Sequence, residues 1–134
     1  MNSFLIKALV RCCAVFFFAF IVWIIYLANT NAQSVFFDFV NAIPYGDKFG
    51  HIGLFGAMTF LAIIATQYKT YQLFGCAVYL GAILIAVFVA AEEASQHFFP
   101  SRTLDMADLL ANFVGIGIAT LFAFAVNKQK IVIR

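Results

Sequence analysis

Two groups of polar residues in this mostly apolar chain have the types and spacing that acid–base or ion-binding chemistry requires. The first group is Asp47, Lys48 and His51. Residues four apart on a helix are neighbours, so Asp47 and His51 would lie on one side if a helix begins here. The second group follows further along the chain and is larger. Its members are Glu92, Glu93, Gln96, Arg102, Asp105, Asp108 and Asn112.

Part of the second group has the spacing of a helical stripe. Asp105, Asp108 and Asn112 stand at positions i, i+3 and i+7, which lie on one face of a helix. Gly115 and Ala119 continue the same face with small side chains. Small residues let two membrane helices approach closely, so we expect this face to pack against another helix.

The remaining charges of the second group need partners, because an ionised group inside a membrane bundle is costly. Arg102 can form bidentate pairs with a carboxylate, and we expect its partner to be Asp105, Asp108 or Glu93. Glu93 and Gln96 are three apart and share a helix face. These residues predict a polar vestibule at the outer end of the protein. A purely structural clasp between Arg102 and the aspartates is the alternative, and Asp47 has the alternative role of a helix cap.

Two kinds of chemistry fit these residues. In an enzyme, Glu93 or Asp108 would be the general base and His51 an acid or base. In a binding protein, Lys48 and Arg102 would hold a phosphate or carboxylate. The other substrate-binding candidates are Asp47, Gln96, Asp105 and Asn112. We predict neither a metal ion nor another cofactor, since oxygen-rich clusters are common without a metal.

The composition indicates that the protein carrying these groups is a membrane protein. The chain has 134 residues, of which 65% are hydrophobic and 10% charged. Soluble domains carry about 25% charged residues. This excludes a disordered protein, a disulfide-stapled secreted miniprotein and a soluble nucleotide-binding fold. The net charge of +2 gives no reason to expect nucleic-acid binding.

Four apolar stretches predict the elements, at about 8–28, 49–66, 73–91 and 106–126. Each approaches the ~20 residues that cross a bilayer core, and a membrane-spanning run of this kind forms a helix. We expect one domain over 1–134, an all-α polytopic bundle of four transmembrane helices. The aromatic-rich segment 35–40 predicts a short interfacial helix or turn, and 67–72 a tight turn. The first stretch also resembles a signal peptide, but its apolar run is longer than usual.

The basic residues predict the orientation. Cytoplasmic loops of membrane proteins carry an excess of Lys and Arg. With the N-terminus inside, Lys48 and Arg102 are the only two basic residues outside. The other six, all inside, are Lys7, Arg11, Lys69, Lys128, Lys130 and Arg134. We therefore expect both termini to be cytoplasmic, in a multi-pass protein of a bacterial inner membrane. All six acids then lie on the outer side.

The ordered polar set resembles the VanZ-like family of small bacterial membrane proteins, which is named for a teicoplanin-resistance component. The family pattern is Asp-Lys-x-x-His, then Glu-x-x-Gln, a loop ending in Arg, and Asp-x-x-Asp-x-x-x-Asn-x-x-Gly. In this chain the matching residues are Asp47, Lys48, His51, Glu93, Gln96, Arg102, Asp105, Asp108, Asn112 and Gly115. Glu92 and His97 have no counterpart, which leaves open which glutamate is the key one, although the spacing favours Glu93.

The resemblance implies an envelope protein with an outward-facing polar site that binds or acts on a cell-envelope component, linked to glycopeptide resistance. The alternative is a membrane hydrolase or transferase acting on a lipid-linked or cell-wall precursor. A small transporter ranks below both, because the polar residues of the helices lie at one end only. The expected partners are membrane lipids and a lipid-linked precursor or glycopeptide. The sequence does not set the oligomeric state.

Overall fold

The computed structural model describes residues 3–32, 34–100, 102–103 and 105–132. Most of these residues are helical. The helices are α1 (Ser3–Asn29), α2 (Val35–Asn41), α3 (Gly46–Ala65), α4 (Leu80–Ser95) and α5 (Met106–Val132). Two short strands, β1 (Thr70–Leu73) and β2 (Cys76–Tyr79), stand between α3 and α4, and a 3₁₀ turn (Gln96–Phe98) follows α4. Within the described residues, four helical segments are long and apolar enough to cross a membrane, and one of them is α4 together with the 3₁₀ turn (Leu80–Phe98).

Four of the five helices follow the sequence prediction closely. The apolar runs at 8–28, 49–66 and 106–126 correspond to α1, α3 and α5, each extended by a few residues at one or both ends. The interfacial segment at 35–40 is α2. Ser34 precedes α2 in an extended conformation, and its hydroxyl accepts the Phe36 backbone N–H at 3.2 Å. Such a cap stabilises the start of a short helix.

The prediction for 67–79 was wrong. The expected turn at 67–72 is instead part of an antiparallel hairpin in which Thr70 pairs with Tyr79 and Leu73 with Cys76. Its two turn residues, Phe74 and Gly75, both have positive φ (49° and 81°), which matches the twist of a two-residue hairpin. The apolar residues 73–79 therefore belong to the hairpin, and α4 begins at Leu80 instead of about residue 73.

The long helices alternate in direction, so their polar ends meet. α3 and α5 run parallel and approach closely where Gly56 faces Gly115. A methyl group on Gly115 would lie 2.4 Å from the Ile52 carbonyl oxygen. α4 runs antiparallel to them, with Gly81 against the backbone of Ile63. We call the end where α3 and α5 begin the polar end, and the opposite end, which carries β1 and β2, the hairpin end.

Candidate functional site

Lys48 links three carboxylates at the polar end. It lies in the first turn of α3, and its ammonium nitrogen is 3.0 Å from an oxygen of Asp47 and 2.7 Å from one of Asp105. It also donates to Asp108. An ammonium group has three protons, so three carboxylates can use all of them. The lysine therefore joins the start of α3 to the start of α5, and binding an anion there would require breaking one of these contacts.

One expectation and one alternative for this region were wrong. Arg102 is not the described partner of the aspartates, because Lys48 occupies that place from the neighbouring helix; the Arg102 Nη2 instead lies 3.7 Å from Glu92 Oε1. Asp47 does not cap α3. The capping position is Tyr45, which has a left-handed backbone (φ 57°), and Asp47 lies inside the first turn beside Lys48.

Asp105 stands just before α5 and shapes its start. Its Oδ1 accepts the Ala107 backbone N–H at 2.8 Å, and its Oδ2 accepts a hydrogen bond from Lys48. Hydrogen bonds to an ionised carboxylate favour the charged form. The Lys48 ammonium, followed by the Ala107 amide, therefore holds the pKa of Asp105 below its ordinary value. This carboxylate stays ionised at neutral pH.

A buried hydrogen-bonded chain runs inward from His51. The His51 Nδ1 is 2.9 Å from Asn112 Oδ1, and Asn112 Nδ2 donates to Glu93 Oε1 at 3.4 Å. Asn112 is fully buried and Glu93 is 2% exposed. Because the Asn112 amide N–H faces a carboxylate, its carbonyl faces His51, and the ring therefore carries a proton on Nδ1. The other ring nitrogen, Nε2, lies 3.7 Å from Asp108 Oδ2.

The two adjacent glutamates are both buried but have different surroundings. Gln96 Nε2 lies 3.3 and 3.2 Å from the two carboxylate oxygens of Glu92, which also faces Arg102. Glu93 faces Asn112 on α5, and its Oε2 has no hydrogen-bond partner among the described residues. Neighbouring residues on a helix point in directions about 100° apart, so one glutamate turns toward Arg102 and the other toward α5.

A cavity of about 140 Å³ opens beside this network. Asp47, His51, Glu92 and Arg102 line its polar side, and they come from α3, α4 and the segment before α5. The other walls are mainly apolar side chains of α1, α2 and α3, among them Ile21, Ile24, Phe36, Phe37, Leu54 and Phe55. The histidine-bearing and arginine-bearing segments thus meet at one cavity.

The cavity also includes residues that the sequence analysis did not place in a site. α1 contributes the apolar side of its last two turns, and α2 contributes Phe36, Phe37, Val40 and Asn41. The aromatic-rich run at 35–40 was the available signal. It indicated an interfacial helix, but a hydropathy pattern does not tell which neighbour such a helix covers.

The donor set does not assemble a metal site. Within the described part of the chain, no group of three or more His, Cys, Asp and Glu side chains is arranged to hold a metal ion. The carboxylates of Asp47, Asp105 and Asp108 converge on Lys48. The arrangement can instead orient an imidazole, hold buried carboxyl groups and present charges to a molecule that enters the cavity.

The chain matches no family model, no curated protein and no solved structure.

Proposed function

We propose that this protein is a VanZ-like envelope protein of a bacterial cytoplasmic membrane, and that its polar end faces outward and binds an amphipathic cell-envelope component. The observation that carries this proposal is the cavity, where charged and polar residues from three segments meet apolar walls from three helices. A molecule with a polar head and a hydrocarbon tail can satisfy both kinds of surface at once.

The character of the cavity and its position along the bundle also support an amphipathic ligand. Binding sites of proteins are mostly apolar with a few well-placed polar groups, and this cavity has that character. Its polar residues lie near the starts of α3 and α5 and the end of α4, which is where a spanning bundle meets the headgroups. The interfacial helix α2 covers part of it. A lipophilic glycopeptide would reach this position from the outer leaflet.

The proposed orientation follows from the basic residues at the hairpin end. Lys7 and Arg11 begin α1, Lys69 precedes β1, and Lys128 lies near the end of α5. The positive-inside rule puts this end in the cytoplasm, together with both termini.

Cysteine labelling of intact cells tests the orientation. Cys76 is exposed in the hairpin, and Thr30 is exposed at the end of α1. In a Cys12→Ser, Cys13→Ser background, a membrane-impermeant maleimide should leave Cys76 unlabelled until the cells are opened. A Thr30→Cys variant that also lacks Cys76 should label in intact cells. The reverse pattern would refute the orientation and the outward-facing site with it.

A matched pair of glycine variants tests the function. Gly50 lines the cavity and one neighbouring apolar groove, whereas Gly53 lines that groove and a second one but is not in the cavity lining. A Cβ at either position meets no atom within 4 Å. Gly50→Leu should fill the cavity, and Gly53→Leu should leave it open. The measurement is the teicoplanin sensitivity of a susceptible Gram-positive host that expresses each variant at an equal membrane level.

We expect the wild type and Gly53→Leu to lower the sensitivity several-fold and Gly50→Leu to lose most of that effect. Glu93→Gln and Asp108→Asn should also lose it, because they alter the network that positions His51. An unchanged sensitivity with the wild type would refute the link to glycopeptides. Equal protection by both leucine variants would refute the role of the cavity.

The second candidate is an enzyme acting on a lipid-linked or cell-wall precursor, and one observation favours it. The His51 ring is held through Nδ1 by Asn112 and borders the cavity, so its Nε2 is available to accept a proton. His51 would be the general base, with Asp108 beside it. Membranes with wild type, His51→Gln or no protein should then differ in their lipid-linked intermediates. Identical intermediates in the three samples would exclude this enzyme.

A further inference from the structure

We infer that the cavity at the polar end holds one hydrocarbon chain whose head carries an ammonium group, a choice of ligand that rests on the proposed function. The apolar walls select the chain, and the charges at the polar side select the head. Each of these two steps depends on different residues.

The apolar walls and the small volume of the cavity limit the tail of the ligand to a single hydrocarbon chain. The apolar lining includes Ile21 and Ile24 of α1, Phe36 and Phe37 of α2, and Phe55 of α3. A cavity of about 150 Å³ with similar walls holds a single benzene molecule. The volume here is about 140 Å³, so one chain segment fits and the paired chains of a diacyl lipid do not.

The head is selected by an excess of carboxylates among the described residues at this end. Even when Glu93 is left aside, five acids stand against two cations. The acids are Asp38, Asp47, Glu92, Asp105 and Asp108, and the cations are Lys48 and Arg102. An anionic head would add to the surplus negative charge, whereas an ammonium head would reduce it. Charges a few ångströms apart near a protein surface attract or repel each other appreciably, so this difference decides the class of head.

Two acids and one base line the cavity, namely Asp47, Glu92 and Arg102. Arg102 lies beside Glu92, and Lys48 holds three carboxylates without lining the cavity. Asp47 does line it, and its side chain is 51% exposed. Asp47 also shares its lysine with two other aspartates. The ammonium head would therefore lie between Asp47 and His51, with the tail directed toward α1 and α2.

Three ligands with the same tail test the inference. Decylamine, decyl phosphate and decanol are titrated into the full chain in a neutral maltoside detergent, and binding heat is measured by calorimetry. The specific signal is the saturable heat that Gly53→Leu retains and Gly50→Leu loses. We expect decylamine to bind about tenfold tighter than decanol, and decyl phosphate to bind weakest. Asp47→Asn should bring decylamine close to decanol without changing the affinity for decanol.

The possible outcomes separate this inference from the proposed function. If decyl phosphate binds tightest and Gly50→Leu removes its binding, the cavity is a ligand site but the ammonium assignment is wrong. If no ligand gives a saturable heat that Gly50→Leu removes, both the assignment and the proposed amphipathic site are wrong. If decylamine binds tightest while the host shows no change in glycopeptide sensitivity, the inference stands and the resistance link fails.

Discussion

The two ends of the bundle are held together by different interactions. At the polar end, Lys48, His51 and Asn112 connect α3, α4 and α5 through ion pairs and hydrogen bonds. At the hairpin end, Gly81 lets α4 approach the backbone of α3. The Lys69 side chain at this end is exposed, and its ammonium group lies over the Tyr71 ring. Close backbone packing therefore joins α3 and α4 at the hairpin end. The polar end instead carries charged groups, which are costly to place in a membrane unless they are paired.

The largest loss of stability is expected from adding a methyl group where α3 and α4 approach closely at the hairpin end. A methyl group on Gly81 would lie 2.4 Å from the Ile63 backbone nitrogen and 2.5 Å from the Ala62 carbonyl carbon. Gly81→Ala should lower the free energy of unfolding by about 3 kcal/mol, the upper end of the usual cost of overpacking, because backbone atoms cannot move aside. Denaturant titration in detergent measures this. Gly117→Ala, where a Cβ meets nothing, is the control and should be neutral or stabilising.

A smaller loss is expected from removing the lysine of the polar end. Lys48→Met leaves three carboxylates without their shared cation. Breaking a fully buried pair costs about 3–5 kcal/mol, and because the Lys48 side chain is 25% exposed we expect about 2 kcal/mol. Lys69→Met at the hairpin end should cost less than about 1 kcal/mol. Equal losses in the two variants would contradict the difference between the ends.

Asn112 tests the buried part of the polar network. Asn112→Ala leaves His51 and Glu93 without their shared partner and should cost about 1.5 kcal/mol, within the range for an unsatisfied buried polar group. Asn127→Ala makes the same change near the other end of α5. Circular dichroism during thermal unfolding compares the two variants, and a larger effect at Asn127 would refute the importance of the buried chain.

The smallest effect is a pH dependence at Asp105. Its pKa is lower in the folded protein than the ordinary ~3.9 of an unfolded aspartate, so its contribution to stability is present above that value. The contribution is lost as the pH falls through the lower, folded pKa. The difference in Tm between wild type and Asp105→Asn should be constant from neutral pH to about pH 4.5 and then shrink. A difference that shrinks already at neutral pH would contradict the lowered pKa.

Much of the fold could be predicted from the sequence because hydropathy decides which segments enter a bilayer. It located α1, α3 and α5, and the aromatic run located α2. It did not locate the start of α4, since apolar residues such as those at 73–79 suit a strand as well as a helix. The conformation there depends on the two-residue turn at Phe74 and Gly75, which a hydropathy pattern does not predict.

The polar members of the candidate site were predicted from the sequence, but their pairing and the apolar walls from α1 and α2 were not. The spacing of Asp105, Asp108 and Asn112 placed them on one helix face, and the structure brings them to α3. Which cation meets them depends on which helix lies opposite, and that is a property of packing. Because α3 packs against α5, Lys48 lies beside the aspartates and pairs with them in place of Arg102. Roles in binding or catalysis remain predictions that the variants above test.

The hairpin has a consequence for the lipids around the protein. By taking up residues 73–79 it limits α4 to 16 residues, about 24 Å long, and Glu92 and Glu93 occupy its last turn. The apolar length of this helix is thus shorter than the ~30 Å hydrocarbon thickness of an ordinary bilayer. A membrane answers such a mismatch by thinning locally. The leaflet beside α4 is therefore expected to dip, which brings phospholipid headgroups and water down to the level of the two glutamates.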